Sequence, residues 1–184
     1  MGNRFLARAA VASLLLGSTS GLTQAAAQQG GLAADSSFIA TAGSLGLLQA
    51  KLGKLAQDKG SSPSVKDFGS RIAADYAKAN EQLATGAKQA AFPAPTMLRG
   101  DRQVFDLLSS TGRGSFDKKF IAQIVKQDSD AVRLFQQEAE TGRVASLKRL
   151  ASEMLPTVQQ HLSLATETAR SVGADVTASA STGR

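Results

Sequence analysis

Between Ser37 and Val172 the apolar residues recur at intervals of three and four, in four long blocks. The first runs Phe38, Thr41, Leu45, Leu48, Leu52 and Leu55, with Gln49 at the edge of that face. The second runs Val65, Phe68, Ile72, Tyr76, Ala79, Leu83 and Ala87. In the third, Ile121, Val125, Val132, Phe135 and Ala139 leave one core position to a carboxylate, Asp128. The fourth runs Val144, Leu147, Ala151, Met154, Val158, His161, Ala165, Thr168 and Val172. This spacing predicts four amphipathic helices, and no stretch shows the two-residue alternation of a strand.

Local signals set the expected boundaries. Asp35-Ser36-Ser37 offers N-cap residues for the first helix, and Lys59-Gly60 a C-terminal stop. Ser62-Pro63 reads as N-cap and first position of the second helix, which stops before Phe92-Pro93-Ala94-Pro95. Ser115 is placed to cap the third helix, with Asp117 in its first turn, and Thr141-Gly142 ends it. Gly112-Arg113-Gly114 reads as a flexible lead-in, and Pro156 is expected to kink the fourth helix. Within the long break from Phe92 to Ser115, Asp101 to Leu108 predicts a short helix whose Val104, Phe105, Leu107 and Leu108 can cover the bundle. A connection of this length can cross the bundle, as one does in ferritin-like folds.

Composition agrees: hydrophobic residues make up 42% and aromatic residues 5%, with no Trp, which suits an all-α chain better than a β-sandwich. Arg4, Arg8, the apolar run Ala9 to Leu16 and Ala25-Ala26-Ala27 read as a signal peptide cut after Ala27. That apolar run is far shorter than the roughly 20 residues of a spanning helix. The expected organisation is a leader at 1–27, a flexible 28–34, a four-helix domain at 35–172 and a disordered tail at 173–184. Two of the net +6 charges leave with the leader. The remaining basic residues lie among acids with no aromatic interleaving, which gives no case for nucleic acid.

Chemistry is confined to a few side chains. There is no cysteine and one histidine, which excludes disulfides, thiolate metal sites and cysteine nucleophiles. No nucleophile elbow and no phosphate-binding glycine loop is present. Met97 and Met154 are isolated and read as core filler rather than a copper box. Gln49 lies 11 residues before Gly60 and Tyr76 16 after it; Asp128 lies 14 before Gly142 and His161 19 after it. Both pairs are offset by five residues, about 7.5 Å of rise, so all four sit near mid-bundle. Asp128 and His161, with Tyr76 and Gln49 as neighbours, are the candidates for a metal or small-ligand site. The same residues equally describe a buried hydrogen-bonded network in which Asp128 accepts from Tyr76 or His161. One His and one Asp, with no Glu-x-x-His on any stripe, fall short of a di-iron set.

The segments LGKLAQDKGSSPSVKDF at Leu52 to Phe68, D-x-x-K-A-N-E-Q-L at Asp75 to Leu83, SFDKKF at Ser115 to Phe120, AVRLFQQEAETG at Ala131 to Gly142 and LPTVQQHL at Leu155 to Leu162 carry a resemblance. Together they resemble the bacterial exported family called domain of unknown function 4142. The resemblance implies a ferritin-like four-helix bundle with a short extra helix between the second and third long helices, and it brings no activity. It also implies histidines at the positions of Tyr76 and Asp128 and glutamates near Gln49 and Lys51; this chain has none of these and keeps a histidine only at His161.

The expectation from sequence is an exported, non-enzymatic protein of a Gram-negative envelope, periplasmic or associated with the outer membrane, that serves binding or stress adaptation. It has no predicted cofactor, and its partner is an envelope protein or a small ligand. Two alternatives stand beside it: a degenerate ferritin-like metal or redox protein using the mid-bundle layer, and an envelope protein interaction module.

Overall fold

The computed structural model describes residues 20–176, with side chains from 33 onward. Five helices form: α1 (Ser20–Lys59), α2 (Pro63–Gln89), α3 (Arg99–Ser110), α4 (Arg113–Thr141) and α5 (Ala145–Ser171). No strand occurs among the described residues. Of the leader expected at 1–27, residues 1–19 lie outside them. The backbone of α1, however, is helical from Ser20, so the helix begins well before the expected cap at Asp35 and runs through 28–34.

Two antiparallel hairpins, α1–α2 and α4–α5, make the bundle, with α1 against α4 and α2 against α5. Asp117, early in α4, accepts from the Ser61 and Ser62 amides at the α1–α2 turn. Asp35 of α1 accepts from the Arg143 and Val144 amides at the α4–α5 turn. The turns therefore lie at opposite ends of the molecule, and the 90–112 connection must cross its length. This is the ferritin-like crossover. α3 lies along α1, from Ser44, which receives the Leu98 amide, to Lys59, which donates to the Ser109 carbonyl.

The helix faces follow the predicted periodicity, with corrections of detail. On α1 the buried face is Phe38, Ala42, Leu45, Leu48, Gln49, Leu52 and Ala56. Thr41 is exposed, and Gln49 sits inside the face rather than at its edge. On α3 Leu108 is buried and Val104 and Phe105 pack on the core, whereas Leu107 is 63% exposed because it points away from the seam. Pro156 is exposed and α5 runs through it without interruption. α1 and α2 approach closely through Gly53, Ala56, Gly69 and Ala73: a Cβ on Gly53 would meet the Gly69 carbonyl oxygen at 2.5 Å.

Caps depart further from expectation. Ser62 occupies the N-cap of α2 but its hydroxyl bonds Ser64 Oγ, while Asp117 of α4 takes the turn's amides. Gly112, not Ser115, is the N-cap of α4, and Arg113 and Gly114 are its first turn rather than a flexible lead-in. At the end of α5, Gly173 (φ 64°) and Ala174 return their amides to Arg170 and Ala169. This paired 5→2 and 6→1 arrangement is a Schellman cap, and Val172, Ala174 and Val176 pack on the core. Residues 173–176, expected in the disordered tail, thus pack on the bundle; residues 177–184 lie outside the described residues.

Candidate functional site

The core is in two apolar parts. One gathers Leu48, Leu52, Phe68, Ile72, Phe116, Phe120, Ile121 and Ile124 around the stacked Phe116 and Phe120 rings, 5.5 Å apart. The other gathers Phe38, Leu45, Leu83, Ala131, Phe135, Leu147 and Val158 around the edge-to-face pair Phe38–Phe135. Between them lie Gln49, Asp128 and His161, which belong to neither, and Tyr76 at the border. The mid-bundle layer expected from the turn offsets is present.

Of the two expected donors to Asp128, the structure supplies Tyr76 and not His161. Asp128 is fully buried and its Oδ1 accepts from Gln49 Nε2 at 3.0 Å and from the Tyr76 hydroxyl at 3.4 Å. His161 does not bond Asp128. Its Nε2 meets Asp75 Oδ2 at 2.9 Å, and its ring lies against Tyr76 with centroids 5.3 Å apart. Asp75 precedes the stripe residue Tyr76, which puts it at the rim of α2's buried face with its side chain 43% exposed. The signal was available, since a polar residue adjoining a core position can reach a buried partner. The stripe alone does not carry it, because Asp75 itself falls off the stripe.

Electrostatics follow from burial. Loss of water raises the Asp128 carboxyl to about 8, against which the Tyr76 hydrogen bond pulls only partly down. The group therefore holds its proton at neutral pH. Oδ1, which accepts twice, acts as the carbonyl oxygen, and Oδ2, which has no partner, is left to carry the hydroxyl. Burial, then the adjacent Asp128, pushes the Tyr76 phenol well above its ordinary value. A second buried acid, missed by the stripe reading, is Glu138, raised to about 7 by burial and by Asp35 beside it.

As a metal site the layer is poor. Among the described residues no three His, Asp or Glu side chains gather closely enough to hold an ion. His161 Nδ1, Asp128 Oδ2 and Gln49 Oε1 are buried without partners, but they offer only a single imidazole, a single carboxyl and a carboxamide. Met97 and Met154 each pack against the core, in different parts of it.

A family described as a domain of unknown function, DUF4142, matches residues 20–168. The chain belongs to the DUF4142 family. Among solved structures it is similar to one described as CopM in the Cu(II)-bound form, with a TM-score of 0.62 and 19% identity. That similarity covers 75% of this chain and 97% of the other, and it shows a shared fold. No curated protein matches the chain. The family assignment agrees with the resemblance drawn from the five sequence segments, and this DUF4142 member has the all-helical architecture expected of it.

Proposed function

We propose that this DUF4142 protein is an exported component of the cell envelope that works by binding rather than by catalysis. One observation carries the reading: the chemistry-bearing side chains are turned inward and engaged with each other. Asp128 and His161 are 0% and 1% exposed. The hollow beside Tyr76, between Gly46, Leu83 and Met154, is about 10 Å³, room for a water at most. These two groups thus present almost no surface to a substrate. The leader-like Met1 to Ala27 supports export, and no helix among the described residues is long and apolar enough to cross a membrane.

Assays of the purified protein against ester, phosphate and peroxide substrates are expected to show no turnover that depends on the layer. An activity abolished by Asp128→Ala or His161→Gln would overturn the reading. The copper of the CopM structure does not transfer to this layer, because Cu(II) favours a tetragonal set of several nitrogen and oxygen donors and the layer brings one imidazole and one buried carboxyl. Elemental analysis of protein purified without a histidine tag is expected to find no stoichiometric iron, manganese, copper or zinc. A stoichiometric metal lost on His161→Gln would restore the metal or redox alternative.

A further inference from the structure

The turn between α4 and α5 collects two buried acids. Asp35 of α1 is 0% exposed and accepts from the Arg143 amide at 2.9 Å and from the Val144 amide at 3.0 Å. Glu138, in the last turn of α4, is 4% exposed, and its carboxyl folds back on the same turn: a Cβ on Gly142 would lie 2.6 Å from Glu138 Oε1. That carboxyl stands within hydrogen-bond reach of Asp35. At the opposite end, Asp117 takes the Ser61 and Ser62 amides with no second buried acid beside it among the described residues.

Two carboxyls this close and out of water repel each other strongly if both are ionised. Both Asp35 oxygens already accept from N–H donors, so the proton of the pair belongs on Glu138, which can donate it to Asp35. The charged groups that act on Glu138 are Asp35 from α1 and Lys148 from α5. The Lys148 ammonium is itself bonded to the Glu140 carbonyl at 2.9 Å. On α4 and the turn the Glu140 and Arg143 side chains are exposed, and α2 brings apolar Leu83 and Ala87 to this end of the core while its Lys88 is exposed. Burial first, then Asp35, raises the Glu138 carboxyl to about 7, against a partial pull downward from Lys148. Its proton therefore leaves near neutrality.

We propose that Asp35 and Glu138 form a latch between α1 and the α4–α5 turn that acid closes. Protonated Glu138 donates to Asp35 while Asp35 holds the turn amides; loss of that proton sets two buried carboxylates against each other and loosens α1 from the turn. Once the latch is open, Glu138 returns towards its ordinary value of 4.5. The closed form is thus favoured most at acid pH, and that advantage is lost as pH rises through about 7. What loosens is the end of the core where the Phe38 ring of α1 meets Phe135 of α4, with centroids 5.3 Å apart. An alkaline shift frees apolar surface there and leaves the mid-bundle layer in place.

The test is amide hydrogen exchange, followed by NMR on the full ¹⁵N-labelled protein at about pH 5.5 and pH 8.5, with each rate referred to that of an unstructured amide at the same pH. Protection of the Arg143 and Val144 amides is expected to fall about ten- to thirtyfold across this range relative to that of Ser61 and Ser62. The distant turn corrects for pH effects on the whole fold, that of Asp128 included. Glu138→Gln, which still offers an N–H to Asp35, should keep the α4–α5 turn equally protected at both pH values. Equal changes at the two turns of the wild-type protein would overturn the latch, and that comparison needs no variant to fold. A fall in Glu138→Gln as large as in the wild type would overturn it as well.

Discussion

Asp128 shows how far one residue can be read in isolation. Asp128→Ala removes the acceptor of both Gln49 Nε2 and Tyr76 OH and should destabilise the protein by about 1 to 3 kcal/mol, while Asp128→Asn, which keeps a carbonyl oxygen, should cost less. Urea denaturation compares them. The pH dependence has a definite sign. Below about 4 the carboxyl is protonated in both folded and unfolded chains; from there to about 8 the folded protein keeps a proton that the unfolded one has lost. The contribution of Asp128 to stability therefore falls as pH rises across that window and is flat above it. Asp128→Asn should remove this part of the slope, leaving the part due to Glu138, which lies between its ordinary value of 4.5 and about 7. A slope unchanged by Asp128→Asn would mean that the carboxyl is ionised in the fold. Sequence periodicity located Asp128 and His161 because both occupy core positions. It could not pair them, since Asp75 reaches His161 from outside its own stripe.

Helices and their ends are the next scale. α2 ends in a Schellman cap, with Ala91 and Phe92 returning their amides to Lys88 and Ala87, but the left-handed position is held by Ala91 at φ 56°. Its Cβ is strained there, and Ala91→Gly should stabilise the protein by about 0.5 to 1 kcal/mol, read as a higher midpoint in denaturant. The same substitution reversed, at the α1–α2 crossing, should do harm. Gly53→Ala puts a methyl 2.5 Å from the Gly69 carbonyl oxygen, so the helices must part, at a cost of about 1 to 3 kcal/mol. Helix identity and buried faces were legible because a period of 3.6 is written in every block. Cap roles were not. Ser62, Ser115 and Asp35 are good capping residues in sequence, and each is spent differently once the neighbouring helices are in place.

For the whole molecule, the crossover and the polar layer were both legible from counting: the break before α4 is long enough to span the bundle, and the turn offsets put Gln49, Tyr76, Asp128 and His161 at one level. The pairing of Asp35 with Glu138 was not, because the two acids come from different helices and meet only in the folded chain. The aspartates that tie the hairpins together were hidden for the same reason, as Asp35 and the Arg143 amide it accepts are 108 residues apart in the chain. Asp35→Ala and Asp117→Ala should each cost about 1 kcal/mol. The sites lie at opposite ends of the bundle, so the double variant should lose the sum.

Those two aspartates make each hairpin the finisher of the other. The turn of α1–α2 closes its amides on Asp117, and the turn of α4–α5 closes its amides on Asp35. A half-molecule ending near residue 90 would leave its turn amides facing water, as would the complementary half, with the polar layer also split between them. Each alone is expected to show weak helical circular dichroism, and the equimolar mixture to recover the signal of the intact chain. The protein behaves in this respect like a heterodimer whose subunits happen to be covalently joined.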